Sequence, residues 1–446
     1  MFDLFLISSK RFASLSLSAL TRSPDGETSI GIRRVLVMLG FLPIFALIQG
    51  IHWVGFLLDD ILFRGWRSIR IQEPVFVLGV PRSGTTKLHQ VLAKDDQFTT
   101  FSAWECLFAL SVTERRFWLG LTRIDALFGG PGAGLLDWLQ HRVFASLDDV
   151  HAMSLTTPEE DYFALMPILS CFILALPFPG AEHLWRIGRF DQVLSDGERS
   201  RVLEFYQDCL KKHLYVHGEH KRLLSKNAAF APLANSLAEH FTDSRFLICL
   251  RDPMETIPSQ LSSIRSGLAF FGVPPDSIPI RDRFVNQLAF YYQNLDTLAR
   301  TLRPNRCVTV TLLDLKADLA TTLCAVYQRL ELPLSGAFGQ LLEAESSAAR
   351  HYRSGHNYSL EQFALEPSEI DARFSRPYRQ ASQGPNALML ETSNPEVDPH
   401  PTLRLQSAIQ EPLAQAMRSK DSDKTTRGAT PIPLRAGTDT GGAGTC

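Results

Sequence analysis

Residues 74–94 combine an apolar run, a glycine-containing turn and a helical pattern in that order. The run PVFVLGV (74–80) is short and β-branched, like a buried strand, and PRSGTT leads from it into KLHQVLAK, which has helical spacing. The order recurs at 245–268 and again at 306–330. Strands alternating with helices predict an α/β fold, with a parallel sheet flanked by helices on both faces and ligands at the carboxyl ends of the strands.

The turn after the first predicted strand is expected to bind an anion. Backbone N–H groups and the helix dipole favour negative charge where a helix begins. A glycine at position 84 allows close approach of the backbone, and Thr85 stands where an ATP-binding P-loop has its lysine. The turn is therefore predicted to hold a single 5′-phosphate. The binding residues expected from this P-loop-like turn are Arg82, Ser83, Gly84, Thr85 and Thr86.

A second anion site is predicted after the strand RFLICL (245–250), where Arg251-Asp252-Pro253 precedes a helix that carries Ser259. The arginine fork suits phosphate oxygens. The aspartate is interpreted as a helix N-cap with proline at the first helical position, so it receives no catalytic role.

These motifs resemble those of sulfotransferases that use 3′-phosphoadenosine 5′-phosphosulfate (PAPS). PRSGTT is similar to the 5′-phosphosulfate loop in its arginine form, which tyrosylprotein sulfotransferases and a broad bacterial group share. The resemblance spans roughly residues 70–365. It implies PAPS as donor, 3′-phosphoadenosine 5′-phosphate (PAP) as product, and a 3′-phosphate site formed by Arg251 and Ser259.

Three further segments resemble the family, and one of them, HAMSLTTPEEDYFAL (151–165), is close to a histidine-plus-PEED pattern of the bacterial group. Lys226 in SKNAAF matches a lysine that follows a strand, although Ala228 replaces the usual proline. The segment HYRSGHNYSLEQFAL (351–365) is similar to the end of the bacterial catalytic domain, and this resemblance implies that Arg353 closes over the 3′-phosphate.

In-line sulfuryl transfer needs a proton acceptor and positive charge at the leaving group. The resemblance implies Glu105 as the general base, 23 residues after Arg82, and burial beside Trp104 and Cys106 is expected to raise its basicity. His151 is the alternative base. Arg82 and Lys226 are expected to stabilise the leaving group.

Two functions other than sulfuryl transfer are compatible with a P-loop-like fold. A magnesium-dependent, kinase-like transferase conflicts with Thr85 in the lysine position, and an inactive membrane-associated scaffold conflicts with the complete motif set. No metal site is expected, because the seven cysteines lack paired spacing; this also favours a reducing compartment. A net charge of −2 gives no general attraction to nucleic acid.

Residues 35–58 contain no charged side chain in 24 positions, which is long enough to cross a membrane. Pro43, Gln49 and His52 weaken that interpretation. Three arrangements stay open: a kinked spanning helix, a hairpin in one leaflet, or a helix pair buried against the catalytic domain. The location is accordingly predicted as membrane-associated or cytoplasmic.

The predicted organisation is an apolar N-terminal region (1–70), a catalytic domain (71–383) and a disordered tail (384–446) rich in polar residues, glycine and proline. The domain contains a largely helical, acceptor-side insert at about 101–225. Within it, the uncharged run 163–178 is predicted to be a buried core helix or else the lining for a lipophilic acceptor. Glu159, Glu160 and Asp161, which follow a Thr-Pro pair, are expected to begin a helix.

Overall fold

The computed structural model describes residues 1–21, 30–132, 134, 155–349 and 358–388. Five strands are described: β1 (Val75–Gly79), β2 (Phe98–Thr99), β3 (Arg222–Asn227), β4 (Arg245–Leu250) and β5 (Cys307–Thr311). They form one sheet in the order β2-β3-β1-β4-β5, and every neighbouring pair is parallel. The predicted α/β fold class is confirmed.

The helices of the described residues divide into those before and those after β3. Before it lie α1 (Phe2–Thr21), α2 (Ile32–Leu62), α3 (Thr85–Leu92), α4 (Ala103–Phe108), α5 (Val112–Leu127), α6 (Glu182–Ile187), α7 (Phe190–Val193) and α8 (Asp196–His217). After it lie α9 (Ala234–His240), α10 (Pro253–Phe270), α11 (Ile278–Thr301), α12 (Leu312–Ala317), α13 (Leu319–Arg329), α14 (Gly336–Ala349) and α15 (Pro367–Gln383). Short 3-10 helices span Arg64–Ser68, Asp161–Leu165, Phe172–Ala175, Ala228–Leu233 and Leu360–Phe363.

Both faces of the sheet are buried, as an all-parallel sheet requires. Along β1, Phe76 and Leu78 belong to one apolar cluster, whereas Val75 and Val77 belong to the other. This alternation follows from the two-residue period of a strand. Helices α3, α13 and α14 cover one face, and α8, α11 and α15 contribute to the cluster on the other.

The insert contains helices, but residues 163–178 do not form the predicted core helix. They form two 3-10 turns joined by irregular chain, although most of their apolar side chains are buried. Pro167 interrupts the backbone hydrogen-bond pattern, and Leu169 adopts a positive φ of 53°, which no α-helix accommodates. The segment is buried as predicted, and its secondary structure was predicted wrongly.

The N-terminal region forms an antiparallel helix pair. Phe12 of α1 stacks on Phe45 of α2, and Phe5 meets Trp53 edge to face, so the contacts run in opposite directions along the two helices. Helix α2 includes the uncharged window 35–58 and is long and apolar enough to cross a membrane, judged by length and composition.

The catalytic domain extends slightly further than predicted. Residues 384–388 were assigned to the disordered tail, yet Thr309 of β5 donates its backbone N–H to the Asn386 carbonyl and accepts from Leu388. The Asn386 side chain is buried and donates to the carbonyls of Ala299 and Leu302. Order therefore continues to Leu388; the rest of the predicted tail lies outside the described residues.

Candidate active site

The phosphate-binding turn lies between β1 and α3, at the carboxyl edge of the sheet. Arg82 has φ 67° and Gly84 has φ 89°, so two left-handed residues flank the buried Ser83. The Ser83 hydroxyl donates to the Val80 carbonyl at 2.7 Å. Gly79 is needed for a different reason: a Cβ there would lie 2.5 Å from the Cys249 carbonyl oxygen on β4.

The two predicted phosphate motifs meet at this edge. Arg82 Nε lies 3.3 Å from the Ser259 hydroxyl of α10, and Arg251 Nη1 donates to the Arg82 carbonyl at 3.2 Å. Arg251 also pairs with Glu255 one turn into α10. Asp252 accepts from the Met254 N–H and caps the helix, as predicted. The geometry thus joins residues that are far apart in sequence into one cationic, hydroxyl-lined group.

Lys226 is the penultimate residue of β3 and pairs side by side with Val77 of β1. Its side chain is 3% exposed and its ammonium lies 2.6 Å from Glu160 Oε1. Burial together with the positive charge of Lys226 lowers the pKa of nearby His89 to about 3. The buried ammonium and its carboxylate partner therefore sit beside the end of the strand that carries the phosphate turn.

The segment that carries Glu160 is fixed by the buried side chain of Asp161. Its carboxylate accepts hydrogen bonds from Tyr206 at 2.6 Å, from Ser225 at 2.9 Å and from Asn227. Burial outweighs these bonds and raises the pKa of Asp161 to about 6. Because Ser225 and Asn227 flank Lys226 on β3, this network also fixes the position of Glu160.

The expectation that residues 159–161 begin a helix through a Thr-Pro cap was wrong. Pro158 instead forms an isolated antiparallel bridge with Ser102, and a 3-10 helix begins only at Asp161. The bridge keeps the preceding chain extended, and this leaves the Glu160 carboxylate free to reach Lys226. Glu159 lies beside the same ammonium; burial raises its pKa above the usual range.

Glu105 is held in a different set of contacts. Its side chain is 2% exposed; Oε2 accepts from the backbone and hydroxyl of Ser102, and Oε1 accepts from His217 at 2.6 Å. Arg115 Nε lies 3.5 Å from the same Oε1. Burial raises the pKa of Glu105, but Arg115, His213 and His217 outweigh it and hold the pKa below its usual range. The expected increase in basicity was therefore wrong in direction; the role as base stays a prediction.

Glu105, His213 and His217 also have the composition of a metal site, since one ligand atom from each lies within 4.8 Å of the others. Two features explain the cluster without an ion. The contact between His217 and Glu105 is a hydrogen bond, and the fully buried Arg115 already supplies positive charge to that carboxylate. A dication would have to share this space with the guanidinium.

Of the other predicted site residues, Arg353 and the alternative base His151 lie outside the described residues. Thr85 is buried at the first turn of α3 and Thr86 is exposed. Glu160, which contacts Lys226, is not among the site residues predicted from the sequence. Its Thr-Pro-Glu-Glu context has the residue pattern of a helix start, and no local signal predicts the bridge to Ser102.

Comparison with known proteins agrees with this geometry. Residues 74–336, more than half of the chain, match the sequence profile described as the sulfotransferase family. The chain belongs to the sulfotransferase family. The matched region contains β1 to β5 and every described residue of the candidate site.

Two curated relatives and two solved structures are similar to this chain. The relatives are named omega-hydroxy-beta-dihydromenaquinone-9 sulfotransferase Stf3, from Mycobacterium bovis and Mycobacterium tuberculosis; each is 26% identical over 59% of this chain and 64% of its own length. The alignment thus spans less than two thirds of these relatives. One structure is sulfotransferase STF9 from Mycobacterium avium, with a TM-score of 0.64 and 16% identity, covering 84% of this chain and 95% of that one. The other is sulfotransferase STF1 from M. tuberculosis, with a TM-score of 0.58 and 18% identity, covering 84% of this chain and 93% of that one. These structures support the fold.

Proposed function

We propose that this protein transfers a sulfuryl group from PAPS to a hydroxyl or amine acceptor, and that the acceptor is a lipophilic alcohol. The observation that carries the donor assignment is the contact of Arg82 with Ser259 and Arg251 at the ends of β1 and β4. One arginine-bearing turn at a helix start and a second arginine on the next strand suit a nucleotide with two separate phosphate positions.

The residues fit such a donor. The turn at residues 82–86 would hold the 5′-phosphosulfate, and Arg251 with Ser259 would hold the 3′-phosphate, joined by Arg353 as the family resemblance implies. PAPS supplies the sulfuryl group and leaves as PAP. Lys226 and Arg82 supply fixed positive charge, which stabilises negative charge developing on the leaving oxygen.

The proton of the acceptor requires a base, for which the chain offers two carboxylates. Glu105 is the candidate implied by family resemblance, but its oxygens are already engaged by Ser102 and His217. Glu160 is favoured by its 2.6 Å contact with Lys226, because a carboxylate held beside a cation of the reaction centre can reach the acceptor oxygen that attacks the sulfur in line. We propose Glu160 as the general base, with Glu105 as the alternative.

The lipophilic acceptor is proposed on two grounds. The relatives are named for sulfation of a hydroxylated menaquinone, which is an isoprenoid alcohol. In this chain, the proposed acceptor side includes the apolar residues 163–178. The rings of Tyr162 and Phe163, which follow Glu160 closely in sequence, are tilted against each other with centroids 4.4 Å apart. Association of residues 35–58 with a membrane would bring such an acceptor to the enzyme.

The two other functions are less well supported. A kinase-like enzyme would need a cation at position 85 of the turn, where the side chain is threonine. An inactive scaffold would have no need for a buried ammonium that is paired with a carboxylate at the end of β3.

A transfer assay tests the proposed reaction. Full-length protein is incubated with PAPS and geranylgeraniol in detergent micelles, beside 4-nitrophenol as a water-soluble acceptor, and PAP release is measured. We expect PAP release to depend on the isoprenoid alcohol. Transfer to the phenol alone would reject a lipophilic acceptor, and no release with either, by protein that binds PAP, would support the scaffold.

A further inference from the structure

The outer face of α2 is apolar along nearly its whole length. From residue 36 to residue 62, no exposed side chain on this helix is polar or charged. At a rise of 1.5 Å per residue, this face is about 39 Å long. Contiguous exposed apolar surface of this extent marks an interaction site in soluble proteins. The large side chains on this face are Leu36, Leu39, Ile44, Leu47, Ile51, Val54, Leu57, Ile61 and Leu62.

The opposite face of α2 is attached to the catalytic domain by polar contacts at three points. Near its start, the buried Arg34 donates to the carbonyls of Phe271 and Pro177. In the second half, His52 meets Glu114 at 2.7 Å. Near the end, Asp59 accepts from the backbone N–H groups of residues 112 and 113 at 3.0 and 2.8 Å.

These contacts decide how α2 can meet a membrane. Arg34 and Asp59 are about 38 Å apart along the helix at 1.5 Å per residue, which exceeds the roughly 30 Å thickness of a bilayer's hydrocarbon core. If α2 spanned a bilayer, the domain residues bonded along its length would have to lie inside the bilayer too. The contact at Gly55, where a Cβ would come within 2.3 Å of the Ser111 hydroxyl, shows how closely the helix is seated.

Helix α5 extends the same apolar surface. It adjoins the C-terminal half of α2 through the Asp59 and His52 contacts. Beyond its first turn, it and the residue after it expose three aromatic rings among other apolar side chains, and one of the three is a tryptophan, a residue enriched at membrane interfaces. These exposed side chains are Phe117, Trp118, Leu119, Leu121, Ile124, Leu127 and Phe128.

Charge on the surrounding surface favours an anionic partner. Among the described residues of α1, α2, α5 and residues 63–70, seven basic side chains are exposed against one acidic side chain, Asp3; of the seven, Arg67 pairs with the half-buried Asp60. The basic side chains are Lys10, Arg33, Arg64, Arg67, Arg70, Arg116 and Arg123. Arginines at both ends of an apolar helix suit a surface of anionic lipid headgroups.

We propose that the outer faces of α2 and α5 lie in one leaflet of an anionic lipid bilayer, so that α2 holds the protein to the membrane without crossing it. This deepens the proposed membrane association of residues 35–58 and does not depend on sulfuryl transfer. Of the three arrangements left open by the sequence, the proposal combines the docked helix pair with attachment to a single leaflet.

Vesicle flotation tests the attachment. We expect full-length protein to float with phosphatidylcholine vesicles that contain phosphatidylglycerol, and to bind at least about tenfold less to phosphatidylcholine alone. The double substitution Leu47→Glu and Ile51→Glu should reduce flotation about tenfold or more. Leu313→Glu, at an equally exposed leucine outside this face, should leave it unchanged. Equal binding to neutral vesicles would contradict the preference for anionic lipid. Absence of flotation, or a soluble dimer that buries this face, would contradict attachment to a membrane.

Cysteine labelling distinguishes attachment of α2 to one leaflet from a helix that crosses the bilayer. Ile32→Cys places a thiol at the exposed first residue of the helix and Ser68→Cys places one at an exposed position after its last residue, while the six described native cysteines are buried or half-buried. In sealed vesicles prepared from expressing cells, an impermeant maleimide should label both variants from the same side, above the background of the unmodified chain. Labelling of only one of them would mean that α2 crosses the membrane and would overturn the proposal. PAP binding, measured separately, reports on the donor site whatever these results are.

Discussion

Arg251→Ala is expected to weaken PAP binding by about 100-fold or more, because an arginine–phosphate interaction is worth about 3 kcal/mol and each 1.4 kcal/mol is tenfold in affinity. The fold should be little affected. In the free protein the guanidinium pairs with Glu255 on the next helical turn, and such partly exposed pairs contribute only about 0.5 kcal/mol. Titration calorimetry with PAP measures the affinity.

Two further variants make this result specific. Arg251→Lys keeps the positive charge but loses the two-pronged guanidinium, so we expect a loss of PAP affinity smaller than that of Arg251→Ala. Arg265→Ala removes an arginine within α10 that pairs with Asp276, and this variant should bind PAP normally. If Arg251→Ala binds within a few-fold of the unmodified protein, Arg251 does not hold the 3′-phosphate.

Glu160→Gln is expected to lower turnover by about 100- to 10,000-fold, the usual contribution of a general base. PAP affinity should be maintained or increased, because Lys226 then lacks its anionic partner in the free protein. Steady-state kinetics with PAPS, alongside PAP titration, separate the two effects. Loss of donor binding with little change in kcat would mean that Glu160 only positions Lys226.

Glu105→Gln gives the matched comparison. Its carboxylate contacts the fully buried Arg115, so neutralising it should lower the free energy of unfolding by about 3 kcal/mol. We expect this variant to lose stability in urea denaturation and to keep most of its turnover once folded. A stable Glu105→Gln protein without turnover, beside an active Glu160→Gln protein, would make Glu105 the base instead.

The sheet was predictable from sequence because its signals are local. The strand at 245–250 is a continuous apolar run ended by an Asp-Pro cap, and both boundaries agree with β4 and α10. The signals for β1 and its turn are also local, because the backbone at positions 79 and 84 leaves little room for a side chain and glycine occupies both. Periodicity, caps and turn residues act within a few positions, so one sequence is enough to detect them.

The site was only partly predictable because its contacts are distant in sequence. Glu160 reaches Lys226 because Pro158 bridges to Ser102 and Asp161 bonds to Ser225 and Asn227. Nothing near residue 160 encodes these partners. For the same reason, burial of Glu105 was foreseen but its pKa was not, since the direction depends on Arg115 and His217 as well as on desolvation.

Helix α2 shows what hydropathy cannot predict about an apolar segment. An uncharged window long enough to span a membrane was evident from sequence, but composition cannot show that one face is bonded to a domain. Arg34 and Asp59 lie just outside that window. Their hydrogen bonds to distant segments of the chain determine which face of the helix packs against the domain.

The central claim, that this is a PAPS-dependent enzyme, is tested most directly by thermal unfolding with PAP beside ATP plus magnesium. Saturation at about 100 times Kd should stabilise the protein by about 2.7 kcal/mol, which raises Tm by several degrees. We predict a shift with PAP and none of that size with ATP and magnesium. A shift with ATP and magnesium alone would contradict the account and favour a kinase-like transferase, and no shift with either, on folded protein, would favour a scaffold without a donor site.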